Sequence, residues 1–142
     1  MGTKIKAIYA LGKIGGERVL PPLLYCASRP EEDIRSAAIE VLGQVALLQA
    51  FPVLAERLAE PNTALRAKAI AALGNFPGEE TVRLLLPYLD AGDGLLDAEA
   101  ALALGKIGGP DLEERLLALL ASPHPRTREA AATALGTLPM EG

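Results

Sequence analysis

The chain has no tryptophan, two phenylalanines and three tyrosines in 142 residues. Sheet sandwiches draw their cores from β-branched and aromatic side chains. A core this poor in aromatics and rich in Ala and Leu therefore points to close-packed helices. Cys26 is the only cysteine, which excludes an intrachain disulfide and a cysteine-cluster metal site. His124 is the only histidine, and a histidine-based metal centre needs more than one. No apolar run approaches the roughly 20 residues of a membrane span. The N-terminal stretch "MGTKIKAIYALG" lacks the long apolar core of a signal peptide, so a cytoplasmic location is the default expectation. Basic residues do not predominate: 14 Lys and Arg stand against 18 Asp and Glu, a net charge of -4. That balance argues against nucleic acid as a partner, since phosphate binding needs a basic surface.

What the chain has is a period. Gly12, Gly43, Gly74, Gly105 and Gly136 stand 31 residues apart. Each follows a leucine: Leu11, Leu42, Leu73, Leu104 and Leu135. Alanine stands five residues before each one: Ala7, Ala38, Ala69, Ala100 and Ala131. These offsets share one face of a helix. A second helix follows in each unit, carrying Leu23, Leu54, Leu85 and Leu116 at matching places. Breakers such as "SRPEED", "AEPNTA", "DAGDGL" and "ASPHPR" separate the units. A period of this length built from two helices is the mark of a stacked repeat array.

The helix bearing Leu-Gly is termed inner and the other outer. The pattern predicts inner helices over 2–13, 32–44, 64–75, 95–106 and 126–137. It predicts outer helices over 17–27, 48–59, 79–89 and 111–121. Pro21, Pro22, Pro52 and Pro110 fall in or near first turns, where proline is tolerated. Pro87 falls late in its outer helix and is expected to kink or loosen it. Between Gly43 and Pro52 there is no Gly or Pro to mark a turn. There the inner helix is expected to run on, or to turn tightly by packing alone.

The period, together with "LRAKAIAALGNFPGEETVRLLLPYL", resembles the short HEAT-like repeats of the phycobilisome-lyase type. Ile34-Arg35, Leu65-Arg66 and Thr127-Arg128 stand at the Val-Arg place of that pattern, and the Ala-Leu-Gly motif recurs in register. TPR and ankyrin units are longer and their residue patterns are missing. The resemblance implies an all-α fold: a right-handed α-α superhelix of about four and a half repeats, with inner helices lining a concave face. The length fits a single domain over 1–142, and the period divides it into units 1–31, 32–62, 63–93 and 94–124 and a half unit 125–142. The resemblance further implies an adaptor or scaffold. The alternative it offers is an accessory subunit of a cofactor-attachment complex, such as bilin attachment. The sequence departs from the family at Asp97, where arginine is expected. It departs again at Gly16, Leu47, Gly78 and Gly109, which replace the usual acidic turn residue.

No catalytic, cofactor or metal residues are expected. "GKIGG" at Gly12 and Gly105 follows a helix rather than a strand and lacks the Lys-Ser or Lys-Thr of a phosphate loop. The repeated glycines read instead as structural, letting helices approach closely. His124 reads as an exposed loop residue, and Cys26 as a small half-buried residue with no neighbouring base. "DAGDG" lacks the spaced ligands of a calcium loop. Lys4, Arg35, Arg66 and Arg128 lie in first turns, where the helix dipole disfavours cations. That placement suggests specific acceptors from neighbouring units. With Asp97 in the same row, it suggests a charge ladder.

Function is expected on the open face of the inner helices, at positions ten, seven and three before each glycine and one after it. The candidate partner-binding residues are Tyr9, Lys13, Glu40, Gln44, Ala67, Ala71, Asn75, Leu95, Ala98, Leu102, Lys106 and Thr133. Leu95, Leu102, Ala67, Ala71 and Ala98 form an apolar stripe. It reads equally as a contact site or as packing inside a tight superhelix. The expected partner is another protein, with no nucleic acid and no membrane. The chain opens on an inner helix with Ile5, Ile8 and Leu11 but no preceding outer helix. That raises the expectation of self-association through this helix, or of a longer array.

Overall fold

The computed structural model describes residues 2–139; the expected outer limits of the array at 1 and 142 lie outside them. Among the described residues there are nine α-helices and no strand. The chain divides into two compact units, Met1–Leu73 and Gly74–Gly142.

The first unit holds the inner helices α1 (Thr3–Ile14), α3 (Glu32–Val45) and α5 (Thr63–Leu73), with outer helices α2 (Leu20–Cys26) and α4 (Phe51–Glu56). α1 packs on α3 and α3 on α5, while α2 covers α3 and α4 covers α5. The second unit holds α6 (Glu79–Leu85), α7 (Leu96–Ile107), α8 (Leu112–Leu119) and α9 (Pro125–Thr137). In it α7 and α9 are paired inner helices, and α8 lies against α9.

The core is the repeated pattern made solid. Ala38, Leu42, Ala69, Leu73, Ala100, Leu104 and Ala131 are buried, as are Leu23, Leu54, Leu85 and Leu116 of the outer helices. Burying one such leucine side chain contributes roughly 1.5–3 kcal/mol. Small alanines set the distance between layers, and leucines fill it.

The glycines set the distance between inner helices. A Cβ on Gly43 would lie 2.6 Å from Ala72 Cβ and 2.7 Å from Ala72 Cα. One on Gly105 would meet Ala134 in the same way, at 2.6 and 2.7 Å. At Gly12 the neighbour is Val41 Cγ1, 2.8 Å away. In each case the partner residue lies two before the next repeat glycine. Gly74 is buried, and around Gly136 there is open space.

Every inner helix begins and ends within two residues of its expected limits. The outer helices are less regular than expected. Three of them are partly 3₁₀: Glu17–Val19 precedes α2, Leu48–Ala50 and Arg57–Ala59 flank α4, and Leu86–Asp90 follows α6. Prolines account for much of this, because they lack the N–H that an α-helical turn needs. Pro87 ends the α-helical part of its element at Leu85, as its late position predicts.

The unmarked junction after Gly43 is a tight turn. α3 stops at Val45 because Ala46 takes the left-handed conformation, φ 53° and ψ 40°, and donates its N–H to Leu42 O at 3.0 Å. Gly15 and Gly108 hold the matching places in other units, at φ 67° and 83°. One period after Ala46 stands Pro77, whose ring forbids positive φ. There α5 stops at Leu73, two residues before its expected end.

Candidate functional site: the open face of the inner helices

Helix geometry sorts the expected surface positions into two groups. Residues three before and one after a repeat glycine lie opposite the buried face. Tyr9, Lys13, Gln44, Ala71, Asn75, Lys106 and Thr133 are accordingly exposed, and Glu40 and Leu102 are half-buried. Leu95, ten before Gly105, is half-buried at the start of α7. Residues seven before the glycine behave differently. Ala67 and Ala98 are buried, at 7% and 1% exposure, and Ile5 is buried too. Seven residues is two turns, so this position shares the glycine's flank, which faces a neighbouring inner helix rather than solvent. The alanines therefore leave the apolar stripe, and it is not a continuous surface.

The position six before the glycine is the one the expectation passed over. It adjoins the three-before and ten-before positions by the three-and-four rule. It carries Lys6, Lys68 and Glu99 in three repeats and the buried Ala37 and Ala130 in the other two. Three charged residues recurring at one offset were the signal available.

In the first unit this face is tied together by polar bonds across three helices. Tyr9 on α1 donates its hydroxyl to Glu40 Oε1 on α3 at 2.9 Å. Lys68 on α5 donates Nζ to the same oxygen at 3.1 Å. Burial alone would raise the Glu40 pKa, but the bonds from Tyr9 and Lys68 outweigh it and hold the carboxyl below its usual range. The bond to Glu40 likewise pushes the Tyr9 phenol up, with burial adding to it. Lys6 and Lys13 stand exposed on the same helix as Tyr9.

In the second unit Lys106 Nζ donates to Asn75 Oδ1 at 2.8 Å, joining two residues one period apart. Between α7 and α9 runs a groove of about 450 Å³ lined by Ala98, Glu99, Leu102, Arg126, Ala130 and Thr133, with Glu129 at its edge. Arg126 reaches to 3.8 Å from Glu99. Three expected contact residues, Ala98, Leu102 and Thr133, thus line one concavity, and Leu95 is not among its walls.

Of the first-turn arginines, Arg35 and Arg128 reach carbonyls of the preceding repeat, Arg66 does not, and no ladder forms. Arg35 donates through Nε and Nη2 to the two oxygens of buried Glu60, at 2.9 and 2.8 Å. It also donates Nη1 to the carbonyls of Arg29 and Pro30. Arg128 donates to the Ser122 carbonyl, again six residues back, at 2.7 Å. Arg66 donates to Thr63 Oγ1, and its Nε is buried without a partner. One period beyond Glu60 the sequence has Ala91, which offers no carboxylate. Asp97 is buried, and it accepts from the neutral Thr127 hydroxyl at 2.8 Å instead of pairing with a cation.

His124 is half-buried, not exposed. Its Nε2 lies 3.1 Å from Gly92 O, and its ring packs where a Gly94 side chain would be. Burial pushes the Cys26 thiol up, with Arg29 and Lys4 opposing. The loop acids are also occupied: Asp90 pairs with Arg115 at 3.0 Å, and Asp93 caps the N–H groups of Leu95 and Leu96. Among the described residues no three His, Cys, Asp or Glu side chains gather as a metal site. None of the described helices is long and apolar enough to cross a membrane.

Paired helices in register, inner helices stacked through glycines and outer helices covering them define an all-α repeat protein of the solenoid class. The HEAT repeats family matches residues 2–74 and 51–136, and the chain belongs to that family. No curated protein matches the chain at a significant level.

Proposed function

We propose that the chain is a non-catalytic scaffold or adaptor that binds another protein on the open face of its inner helices. The 31-residue period with its Ala-Leu-Gly motif fits the short, phycobilisome-lyase-type branch of the family. The groove between α7 and α9 carries the reading. It is a concavity on the inner-helix face, with an apolar floor at Ala98, Leu102 and Ala130 and charged walls at Glu99 and Arg126. Such a pairing of apolar floor and charged rim suits a protein side chain seated at the centre and steered at the edge. In the first unit, taken by itself, the polar network of Tyr9, Glu40 and Lys68 is the corresponding candidate surface.

The test is affinity for a partner recovered from the source cells, measured with purified proteins. Leu102→Glu should weaken binding at least tenfold, while Leu48→Glu, at an exposed position of the first unit far in sequence from the groove residues, should not. Equal affinity for Leu102→Glu and wild type would overturn the site.

A further inference from the structure

The groove between α7 and α9 has a counterpart in the first unit, where the chain itself spans it. Two of the floor residues, Leu102 and Ala130, stand three and six before their repeat glycines. In the first unit those two places, on α3 and α5, hold Glu40 and Lys68. Lys68 Nζ reaches across from α5 to Glu40 Oε1 at 3.1 Å. In the second unit a leucine and an alanine make no such bond, and the space between the helices is the groove of about 450 Å³. The fold thus carries its own precedent for what lies across a pair of inner helices at this level: a lysine side chain with its head on a carboxylate.

The groove keeps a carboxylate but not the cation. Glu99 on α7 has only 22% of its side chain exposed. Among the described residues its polar contact is Arg126 Nη2 at 3.8 Å, too long for a hydrogen bond. A carboxylate so far withdrawn from water is best stabilised by charge-assisted hydrogen bonds at about 2.8 Å. Glu99 therefore has acceptor capacity that the chain does not use. Arg126 has no matching need, because its side chain is 64% exposed to water. The charge of the whole unit has the sign of Glu99. Over residues 74–142 five Lys and Arg stand against eleven Asp and Glu, whereas residues 1–73 carry nine against seven. A field of that sign draws cations toward the groove.

We infer, on the reading that a partner protein docks in this groove, that the partner presents a lysine or arginine there. Its aliphatic stem lies over Ala98, Leu102 and Ala130, and its cationic head donates to Glu99, displacing Arg126 toward solvent. Arg126 is on this account a competitor for Glu99 and not a binding contact. An acidic side chain would do the opposite: it would bond Arg126 and meet Glu99 as a like charge.

A displayed library of random short peptides, panned against the full chain, tests it, with affinities of the selected peptides then measured on purified variants. The selected peptides should share one Lys or Arg beside an apolar residue. Replacing that residue with Gln should weaken binding about tenfold, and Glu99→Gln should do the same. The two changes together should weaken it little further, because they remove one bond. Arg126→Ala should strengthen binding, since the competitor is gone. Glu99→Lys should prefer the peptide with Glu in place of its basic residue. Helical circular dichroism checks that each variant keeps the fold. Peptides that lose affinity on Leu102→Glu but share no basic residue, or bind Glu99→Gln as tightly as wild type, overturn the cation and leave the groove standing. So does loss of binding in Arg126→Ala, the mark of an acidic occupant. Peptides indifferent to Leu102→Glu, or a library that yields none, overturn the groove as a docking site and the cation with it.

Discussion

The two compact units are built by one rule and use it differently. Both stack inner helices by setting a glycine against a small or β-branched residue of the next helix, Gly43 on Ala72 in the first and Gly105 on Ala134 in the second. Their polar chemistry diverges. The first unit holds a buried ion pair inside one repeat, Arg35 with Glu60, and bridges its repeats with a three-helix network on Glu40. The second bridges its repeats with Asp97 and the neutral Thr127 hydroxyl, and its open face is a groove. The repeat dictates backbone spacing and core size, and leaves the flanks free to carry either charge or none. A repeat motif therefore predicts packing across units and says little about what each unit binds.

The largest expected effect separates the two buried polar pairs, Arg35 with Glu60 and Asp97 with Thr127. Glu60→Ala leaves Arg35 largely buried without its carboxylate and should cost about 3 kcal/mol, because breaking one side of a buried pair strands the other charge. Glu60→Gln should recover only part of that loss. Asp97→Asn keeps an acceptor for Thr127 and removes a buried charge, so it should cost less than about 1 kcal/mol. Denaturant unfolding of the four proteins checks the order. Equal losses for Glu60→Gln and Asp97→Asn would erase the contrast between the units.

Next in size, Gly43→Ala and Gly105→Ala should each destabilise by about 2 kcal/mol, since the new methyl meets backbone rather than a flexible side-chain end. Gly12→Ala meets Val41 Cγ1, which can rotate, and should cost less. Gly136→Ala enters open space and should cost nothing. Thermal unfolding of the four variants tests whether the glycine rule is shared by both units. A neutral Gly105→Ala would confine it to the first.

The helices and the core were legible in the sequence because they depend on periodicity, which a single chain with internal repeats displays. The candidate face was legible only in part. Tyr9, Lys13 and Lys106 were placed correctly on open surface, since they lie opposite the buried alanines. Ala67 and Ala98 were not, because a position seven before the glycine shares that residue's flank, and an alanine gives no sign of which side it faces. Lys68 and Glu99 were missed for want of the three-and-four rule applied at the six-before position. The Arg35–Glu60 pair spans 25 residues, a spacing unrelated to the repeat, so no register argument could find it. His124 was misread because its partner, Gly92 O, is set by loop geometry.

A smaller prediction concerns the helix ends. Ala46 holds the left-handed α conformation, whereas Gly15 and Gly108 at the matching places combine positive φ with an extended ψ of -174° and 170°; a side chain at Ala46 is strained by about 1 kcal/mol. Ala46→Gly should stabilise the chain by a few tenths to about 1 kcal/mol, the strain relief exceeding the entropy that glycine adds to the unfolded chain. Gly15→Ala and Gly108→Ala should do the reverse. A rise in unfolding midpoint for Ala46→Gly, matched by a fall for Gly108→Ala, would show that both units end these inner helices on a residue of positive φ.

The smallest effect is the pH dependence of the Tyr9–Glu40–Lys68 network. The folded-state pKa of Glu40 lies below its unfolded value, because two hydrogen bonds to the carboxylate outweigh its burial. A group shifted in that direction contributes stability in full above the unfolded pKa and loses it as pH falls through the folded one. Glu40→Gln should therefore flatten part of the acid limb of the stability curve and change little at neutral pH. The step is small, because Lys68 and Glu40 are both partly exposed and salt screens them. Amide exchange resolved along the chain localises it: the loss should appear in α1, α3 and α5 and leave α7 and α9 untouched. Asp93, whose carboxylate is stabilised by backbone N–H groups at the start of α7, supplies the corresponding acid-sensitive step in the second unit. If acid loosens α1, α3 and α5 equally in Glu40→Gln and wild type, the network bridges the helices without contributing measurably to their stability.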